Sequence, residues 1–244
     1  MPAAVGKNIF ITGVSSGLGH ALSTHYLAAG ASVFGVSRRR PGDLCQHENF
    51  HYQTLDLRTI DAIEPTMAQL LAGQQSLDLA ILNAGILGTF GDLSAAYLDD
   101  LMNTMQVNMW SNKVLLDAIF RQIAGVRQVV AISSGAAVNG NRGWSGYSLS
   151  KAALNMLVAL YSHEQPKTHF CAFAPGVIDT AMQDYLCGLE RGDKFPALSV
   201  LRGKRGTSDM PDAATAAPRL ATAMARLPAL VTSGDYADVR LLDL

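Results

Sequence analysis

Tyr147 and Lys151 stand four residues apart in Tyr147-Ser148-Leu149-Ser150-Lys151, and Ser134 lies thirteen residues before the tyrosine. A phenol and an ammonium at that spacing share one face of a helix. Ser134 follows an apolar run, Gln128-Val129-Val130-Ala131-Ile132-Ser133, so a strand would deliver its hydroxyl from the strand's carboxyl end. Free tyrosine titrates at about 10, and bringing it toward neutrality takes about 4 kcal/mol of preferential phenolate stabilisation. An ammonium roughly 4 Å away supplies about that much at an effective dielectric near 20. Lys151 is thereby expected to make Tyr147 a usable general acid and base, while Ser134 holds a substrate oxygen as charge develops on it. The chemistry implied is reduction of a carbonyl, or oxidation of an alcohol, beside a nicotinamide. A lone tyrosine–lysine pair is an ordinary helical pair; the serine and a glycine-rich turn far upstream give it weight.

That turn is Thr12-Gly13-Val14-Ser15-Ser16-Gly17-Leu18-Gly19, placed between a strand-like run and a helical pattern. Gly13 permits a tight turn, and Gly17 and Gly19 allow backbone and a pyrophosphate to approach at a helix amino end. The spacing is looser than the usual dinucleotide fingerprint, so the strand–turn–helix context carries the reading. Gly13, Ser15, Ser16, Gly17, Leu18 and Gly19 are the expected contacts. The next strand ends Val36-Ser37-Arg38-Arg39-Arg40. An NAD site places a carboxylate there for the ribose hydroxyls, whereas an NADP site places an arginine for the 2′-phosphate. Ser37 holds the carboxylate's position and Arg38 follows, so NADP(H) is expected over NAD(H); Arg40 reads as solvated. Asp56, followed by Leu57, is positioned to accept from the adenine amino group. Asn83-Ala84-Gly85 offers small residues where backbone passes close to a cofactor.

Around these motifs, short apolar runs alternate with helical patterns. Strands are expected at 8–13, 31–37, 50–55, 78–83, 127–133, 169–174 and 236–242, and helices at 17–29, 59–72, 94–121, 147–164 and 213–226. Such alternation predicts one α/β domain over residues 1–244, a parallel sheet with helices on both faces. Residues 181–212 mix Gly, Pro, charges and scattered apolar groups without a clean period and suggest a lid over a site. A hydrophobic fraction of 49% suffices for one large core, and a net charge of −1 gives no global attraction to nucleic acid or acidic membrane. Cys45, Cys171 and Cys187 are odd in number and far apart, which predicts a reducing compartment rather than a disulfide framework. The lead-in 1–7 lacks a signal-peptide core and no run is long enough to span a membrane, so a cytoplasmic protein is expected.

The chain resembles the short-chain dehydrogenase/reductase family along nearly its whole length. The resemblance rests on Thr12-Gly13-x-x-x-Gly17-x-Gly19, Asn83-Ala84-Gly85, Val107-Asn108-Met109, Ser134, Tyr147-x-x-x-Lys151 and Pro175-Gly176-x-x-x-Thr180. It implies a Rossmann-type doubly wound parallel β-sheet. It implies Asn108 as a fourth catalytic member that shapes its helix and supports a water-linked proton path to Lys151. It further implies that Lys151 and Tyr147 contact the nicotinamide end, that Lys151 bonds the nicotinamide ribose, and that Val177 and Thr180 hold the carboxamide beside Pro175 and Gly176. Homodimers or homotetramers built on the long helices follow from it as well. The chain departs from the family pattern at two places. Leu82-Asn83 replaces a doubled asparagine, and Ser233-Gly234-Asp235-Tyr236-Ala237-Asp238-Val239-Arg240 replaces the usual Asp-Gly-Gly. This carboxyl-terminal segment is more similar to the sepiapterin-reductase and benzil-reductase branch, which implies reduction of activated ketones or α-diketones.

The leading expectation is an NADPH-dependent carbonyl reductase acting on a small molecule of hydrophobic or aromatic bulk. Its rivals are an NAD(H)-linked alcohol dehydrogenase of the same fold and a non-catalytic NADP(H)-binding sensor. His47 and His51 have helical metal-pair spacing but sit at the approach to a strand without a third ligand, so no metal is expected. Trp144, three residues before Tyr147, reads equally as a pocket wall or a packing anchor.

Overall fold

Among the described residues nine strands form: β1 (Asn8–Thr12), β2 (Ser32–Ser37), β3 (Phe50–Thr54), β4 (Ser76–Leu77), β5 (Leu79–Leu82), β6 (Gly125–Val126), β7 (Gln128–Ile132), β8 (His169–Ala174) and β9 (Tyr236–Asp238). The coordinates are a computed structural model and describe Ala4, residues 6–190 and residues 194–244. Residues 1–3 and 5, in the lead-in, and 191–193, in the predicted lid, lie outside the described residues. Seven strands make one parallel sheet in the order β3-β2-β1-β5-β7-β8-β9, while β4 and β6 pair as a short second ladder. The helices are α1 (Gly17–Ala28), α2 (Ile63–Leu70), α3 (Leu98–Met105), α4 (Ser111–Gln122), α5 (Ala136–Asn139), α6 (Ser145–Glu164), α7 (Ala181–Gly188), α8 (Pro196–Lys204) and α9 (Ala213–Leu230).

The two-residue side-chain period of a strand divides the core. Ile9 and Ile11 of β1, Ile81 of β5 and Phe173 of β8 pack with α1 and α9. Phe10, Leu82 and Phe170 point the other way, into the layer of α2, α4 and α6. Strands apolar on both faces are what a parallel sheet between two helical layers requires. The chain runs outward from β1 through β2 to β3, then crosses back to β5 on the other side of β1. That reversal opens a crevice at the carboxyl ends of the strands, where open α/β sheets bind ligands.

The expected helix over 94–121 is not one regular α-helix. Leu93–Ala95 is a 3₁₀ turn separated from α3, and Gln106–Trp110 forms a π turn between α3 and α4. A π turn is a local widening that recurs at functional positions, and this one contains Asn108. The helix expected at 59–72 opens with a 3₁₀ turn, Ile60–Ala62, before α2. The strand expected to reach 242 stops at Asp238, because the Asp238 carboxylate accepts the Arg240 N–H at 3.0 Å and turns the chain into a 3₁₀ segment, Val239–Leu241. In contrast, α9 outlasts its expected end and contains Pro228. Proline removes the N–H that would reach the carbonyl four residues earlier; Gln128 fills the gap, donating from Nε2 to the Met224 carbonyl at 2.9 Å.

Candidate active site

A cavity of about 1190 Å³ runs along the carboxyl edge of the sheet. Under β2 and β3 its wall includes Ser37, Arg38, Asp56 and Leu57. Its middle is formed by Gly13, Ser15, Ser16, Gly17 and Leu18, facing Asn83, Ala84 and Gly85. Beyond β7 and β8 come Ser134, Tyr147 and Lys151, with Pro175, Gly176, Val177 and Thr180 opposite. Residues far apart in the chain thus meet because parallel strands all end on one edge. Gly19 and Asn108 stand behind this wall.

The glycine turn is shaped by close approach. Gly13 has φ +78°, in the left-handed region. A Cβ on Gly19 would lie 2.4 Å from the Gly13 carbonyl oxygen and 2.5 Å from Asn83 Nδ2. Gly19 therefore lets α1 press against the end of β1. Asn83 braces the same corner: its Nδ2 donates to the Thr12 carbonyl at 2.9 Å, and the backbone N–H groups of Asn83 and Ala84 both donate to Thr12 Oγ1 at 2.9 Å. Ser16, at the amino end of α1, makes no side-chain cap hydrogen bond among the described residues. The first-turn N–H groups of α1 are thus left for an anion, and a dinucleotide's pyrophosphate fits there.

At the β2 end, Ser37 Oγ donates to the Arg39 carbonyl at 2.7 Å and Tyr52 donates to the Ser37 carbonyl at 2.9 Å. The serine fixes a turn that leaves Arg38 exposed at the cavity rim. Asp56 is gripped by Arg58, whose Nη2 lies 2.6 Å from Oδ2. That hydrogen bond, with help from Arg58 and Arg38 charge, holds the Asp56 carboxyl below its ordinary range. Arg58 lines the cavity too and carried no motif to mark it in the sequence.

At the other end, Ser134 Oγ accepts from the Ala136 N–H at 3.1 Å and neighbours the Tyr147 phenol closely enough to act on its titration. Lys151 is 3% exposed and donates from Nζ to the Ile132 carbonyl at 2.7 Å. Nζ sits 5.8 Å from the Tyr147 ring centre. Burial lowers Lys151 to about 8. The expected lowering of Tyr147 is not what this geometry gives: burial pushes the phenol above its ordinary value, and the neighbouring Ser134 hydroxyl opposes that only partly. The ammonium is directed at a backbone carbonyl rather than at the phenol oxygen, which is why desolvation wins.

Asn108 is fully buried. Its Oδ1 accepts from the Ile86 N–H at 2.8 Å, and its Nδ2 donates to the Ile86 carbonyl at 2.8 Å and to Ser150 Oγ at 2.9 Å. It ties the π turn to the segment after Gly85 and to α6, one residue before Lys151. A Cβ on Gly85 would lie 3.2 Å from Asn108 Oδ1 and 3.4 Å from Lys151 Nζ, so asparagine and lysine flank the same point.

The predicted lid contains α7 and α8. Leu186, Phe195, Leu198 and Leu201 are buried with Phe90 and Met210 in a cluster of their own, while Met182, Pro196, Ala197 and Val200 line the cavity. The apolar residues thus serve two surfaces at once. Trp144 does both jobs considered for it: it lines the cavity, packs edge-on against Phe90 at 5.3 Å, and lies 6.2 Å from the Tyr147 ring. His51 stacks on Phe34 at 4.8 Å and His47 Nδ1 accepts from the Asn49 N–H at 3.2 Å. Among the described residues no three His, Cys, Asp or Glu side chains gather as a metal site. Cys45, Cys171 and Cys187 are free thiols. Among the described residues no helix is long and apolar enough to cross a membrane.

Comparison with known proteins agrees with this geometry. The family model for short chain dehydrogenase matches residues 7–187. The benzil reductase ((S)-benzoin forming) of Bacillus subtilis is 34% identical over 185 residues, covering 71% of this chain and 75% of the relative. A Saccharomyces cerevisiae benzil reductase ((S)-benzoin forming), IRC24, is 31% identical over 195 residues, covering 73% of this chain and 74% of the relative. Among solved structures, the KRED1-Pglu enzyme superposes with a TM-score of 0.82 at 25% identity, over 95% of this chain and 100% of that one. With the Rossmann-type sheet, the glycine turn and the serine–tyrosine–lysine set in one cavity, the chain belongs to the short-chain dehydrogenase family of oxidoreductases, whose fold binds a nicotinamide cofactor.

Proposed function

We propose that this protein is an NADPH-dependent reductase of ketones or α-diketones. The observation that carries the reading is the joining, in one cavity, of an exposed Arg38 at one end and Ser134, Tyr147 and buried Lys151 at the other. The glycine turn and the α1 amino end would hold the pyrophosphate, Arg38 the 2′-phosphate, Asp56 and Leu57 the adenine, and Lys151 with Val177 and Thr180 the nicotinamide half. When bound, the nicotinamide supplies a hydride to the carbonyl carbon. Ser134 orients the carbonyl oxygen, and Tyr147 protonates it as negative charge develops. A phenol raised by burial stays protonated at neutral pH, which suits the donor in reduction rather than the base in oxidation. The benzil-reducing activity of the two relatives and the apolar wall of Trp144, Met182 and Val200 support an aromatic or bulky substrate under an α7–α8 lid. Trp110, Met156 and Leu160, each more than half exposed along the π turn and α6, favour pairing of those helices between copies. The free thiols fit a reducing, cytoplasmic setting.

The direct test is NADPH consumption by the purified protein against benzil and a simple aliphatic ketone, with NADH in parallel. NADPH-linked turnover favouring the diketone supports the proposal; absence of turnover with every carbonyl overturns it. Arg38→Asp places a carboxylate where the 2′-phosphate would sit. It is expected to raise KM for NADPH about tenfold to a hundredfold, from loss of a charge-assisted pair, with NADH used as well as before or better. Unchanged NADPH preference would remove Arg38 from the selection.

A pH profile follows from Lys151. Its ammonium is present below about 8 and is lost as pH rises through that value. Reductive kcat/KM is therefore expected to hold near neutrality and to fall about tenfold per pH unit above the transition. Lys151→Arg, which keeps its charge in this range, should move the fall to higher pH. A flat profile to about pH 10, the ordinary range of a lysine, would overturn the assignment of the alkaline fall to a Lys151 lowered by burial.

A further inference from the structure

The carboxyl edge of the sheet contributes one residue that no motif marks. Arg240 follows β9 and lines the cavity at its substrate end. Asp238, 7% exposed, accepts from Arg240 Nε at 2.8 Å and from its Nη2. One edge of the guanidinium is thus fixed by a buried carboxylate. The opposite edge keeps its Nη1 pair and the outer Nη2 hydrogen as donors in a planar fork. The guanidinium lies beside the residue after Ser134: a Cβ on Gly135 would lie 3.5 Å from Arg240 Nη2 and 3.7 Å from Asn139 Nδ2. Two nitrogen donors on different elements therefore flank Gly135, the residue after Ser134. Lys204 of α8 adds a third donor to the cavity wall, and Asp179, also on the wall, has Arg205 4.0 Å away.

We infer that Arg240, clamped by Asp238 and aided by Asn139, is a substrate-recognition residue that binds a second acceptor oxygen adjacent to the reacting carbonyl. The inference rests on the carbonyl-reductase reading and narrows it. A substrate with one carbonyl and apolar flanks leaves these donors without an acceptor; a 1,2-dicarbonyl or a 2-oxo carboxylate supplies one. The shared chemistry is an oxygen acceptor one carbon from the reduced centre. A carboxylate gains more from the guanidinium charge than a neutral ketone oxygen does, so the two sources separate by charge.

The test compares 1-phenyl-1,2-propanedione, phenylglyoxylate and propiophenone, which share an aromatic group and differ in the second oxygen. Each is assayed with the native protein, Arg240→Gln and Arg240→Lys, and every variant's melting temperature is recorded. Because Arg240→Gln strands the Asp238 carboxylate, Asp238→Asn/Arg240→Gln serves as the second variant. Both Gln variants are expected to lose about tenfold to a hundredfold in kcat/KM on the second-oxygen substrate, the scale of hydrogen bonds to a charged group. Propiophenone reduction should change by less than about threefold. Arg240→Lys should restore part of the loss, more for phenylglyoxylate than for the dione. A greater loss for phenylglyoxylate than for the dione identifies an anionic substrate class; the reverse identifies a neutral one. Equal losses on all three ketones, or no loss on any, would overturn the inference. If the native protein reduces none of the three, the reductase reading fails and takes this inference with it.

Discussion

Replacing Tyr147 by phenylalanine is expected to lower kcat for ketone reduction roughly 10²–10⁴-fold, the usual contribution of a positioned general acid. The substitution removes the phenol oxygen and little else. The ring keeps its place 6.2 Å from Trp144 and 5.8 Å from Lys151 Nζ. Ser134 keeps the Ala136 N–H and can still orient a carbonyl. Loss of a single neutral hydrogen bond costs about 1 kcal/mol, whereas the expected fall in rate corresponds to roughly 3–5 kcal/mol of transition-state stabilisation. The larger effect belongs to the missing proton: without it an alkoxide must form in a cavity whose neighbouring charge, Lys151, is directed at the Ile132 carbonyl. KM for the ketone and the melting temperature should change little. Steady-state kinetics with an α-diketone checks this, and wild-type turnover by Tyr147→Phe would dismiss the phenol as proton donor.

Which parts of this site can be read in the chain depends on whether local rules position them. Gly13, Arg38, Asn83, Ser134 and Pro175 follow the ends of β1, β2, β5, β7 and β8 directly or within two residues. Once a run is identified as a parallel strand, the residues just after it belong to the ligand edge. Tyr147 and Lys151 are legible for a similar reason, since helical spacing alone puts them on one face. The helices within the predicted lid are not legible: Leu198 and Leu201 face Phe90 and Met210 while Val200 between them is 64% exposed. Two short helices serving a private cluster and a cavity leave no single period in the sequence. Ser37 fits the position of a sugar-binding residue by order, yet its hydroxyl closes its own turn. The tyrosine's titration also escapes a pairwise reading, because desolvation depends on how much protein surrounds the phenol. Arg240 escapes for a different reason, as its place is fixed by the pairing of β9 beside β8, a contact between distant parts of the chain (Ala174 with Asp238).

Asn108 is fully buried and does not line the cavity, and its proposed action on the site is testable through the bonds it makes. Asn108→Ala is expected to destabilise the fold by about 2–4 kcal/mol, since buried polar groups left without partners cost about 1–3 kcal/mol each. The Ile86 N–H and carbonyl would both lose the amide that bridges them. Ser150 would lose only an acceptor role, because its hydroxyl still donates to the Tyr147 carbonyl at 2.8 Å. Water from the cavity can reach the partly exposed Ile86, which keeps the cost from being the sum of three full penalties. Urea unfolding measures the change. The chemical consequence should exceed the mechanical one: Asn108 sets where α6 stands relative to Gly85, so its loss lets Lys151 and Tyr147 drift from Ser134. A fall in kcat of about a hundredfold is therefore expected at temperatures where the variant is still folded, the scale at which a misplacement near 1 Å acts. Asn108→Asp discriminates further. It keeps an acceptor for Ile86 N–H, but adds a carboxylate beside the point that Lys151 Nζ flanks at 3.4 Å. That charge favours the ammonium, so the alkaline fall in reduction should move to higher pH. An unmoved profile in Asn108→Asp, with full activity in folded Asn108→Ala, would reduce Asn108 to a purely structural amide.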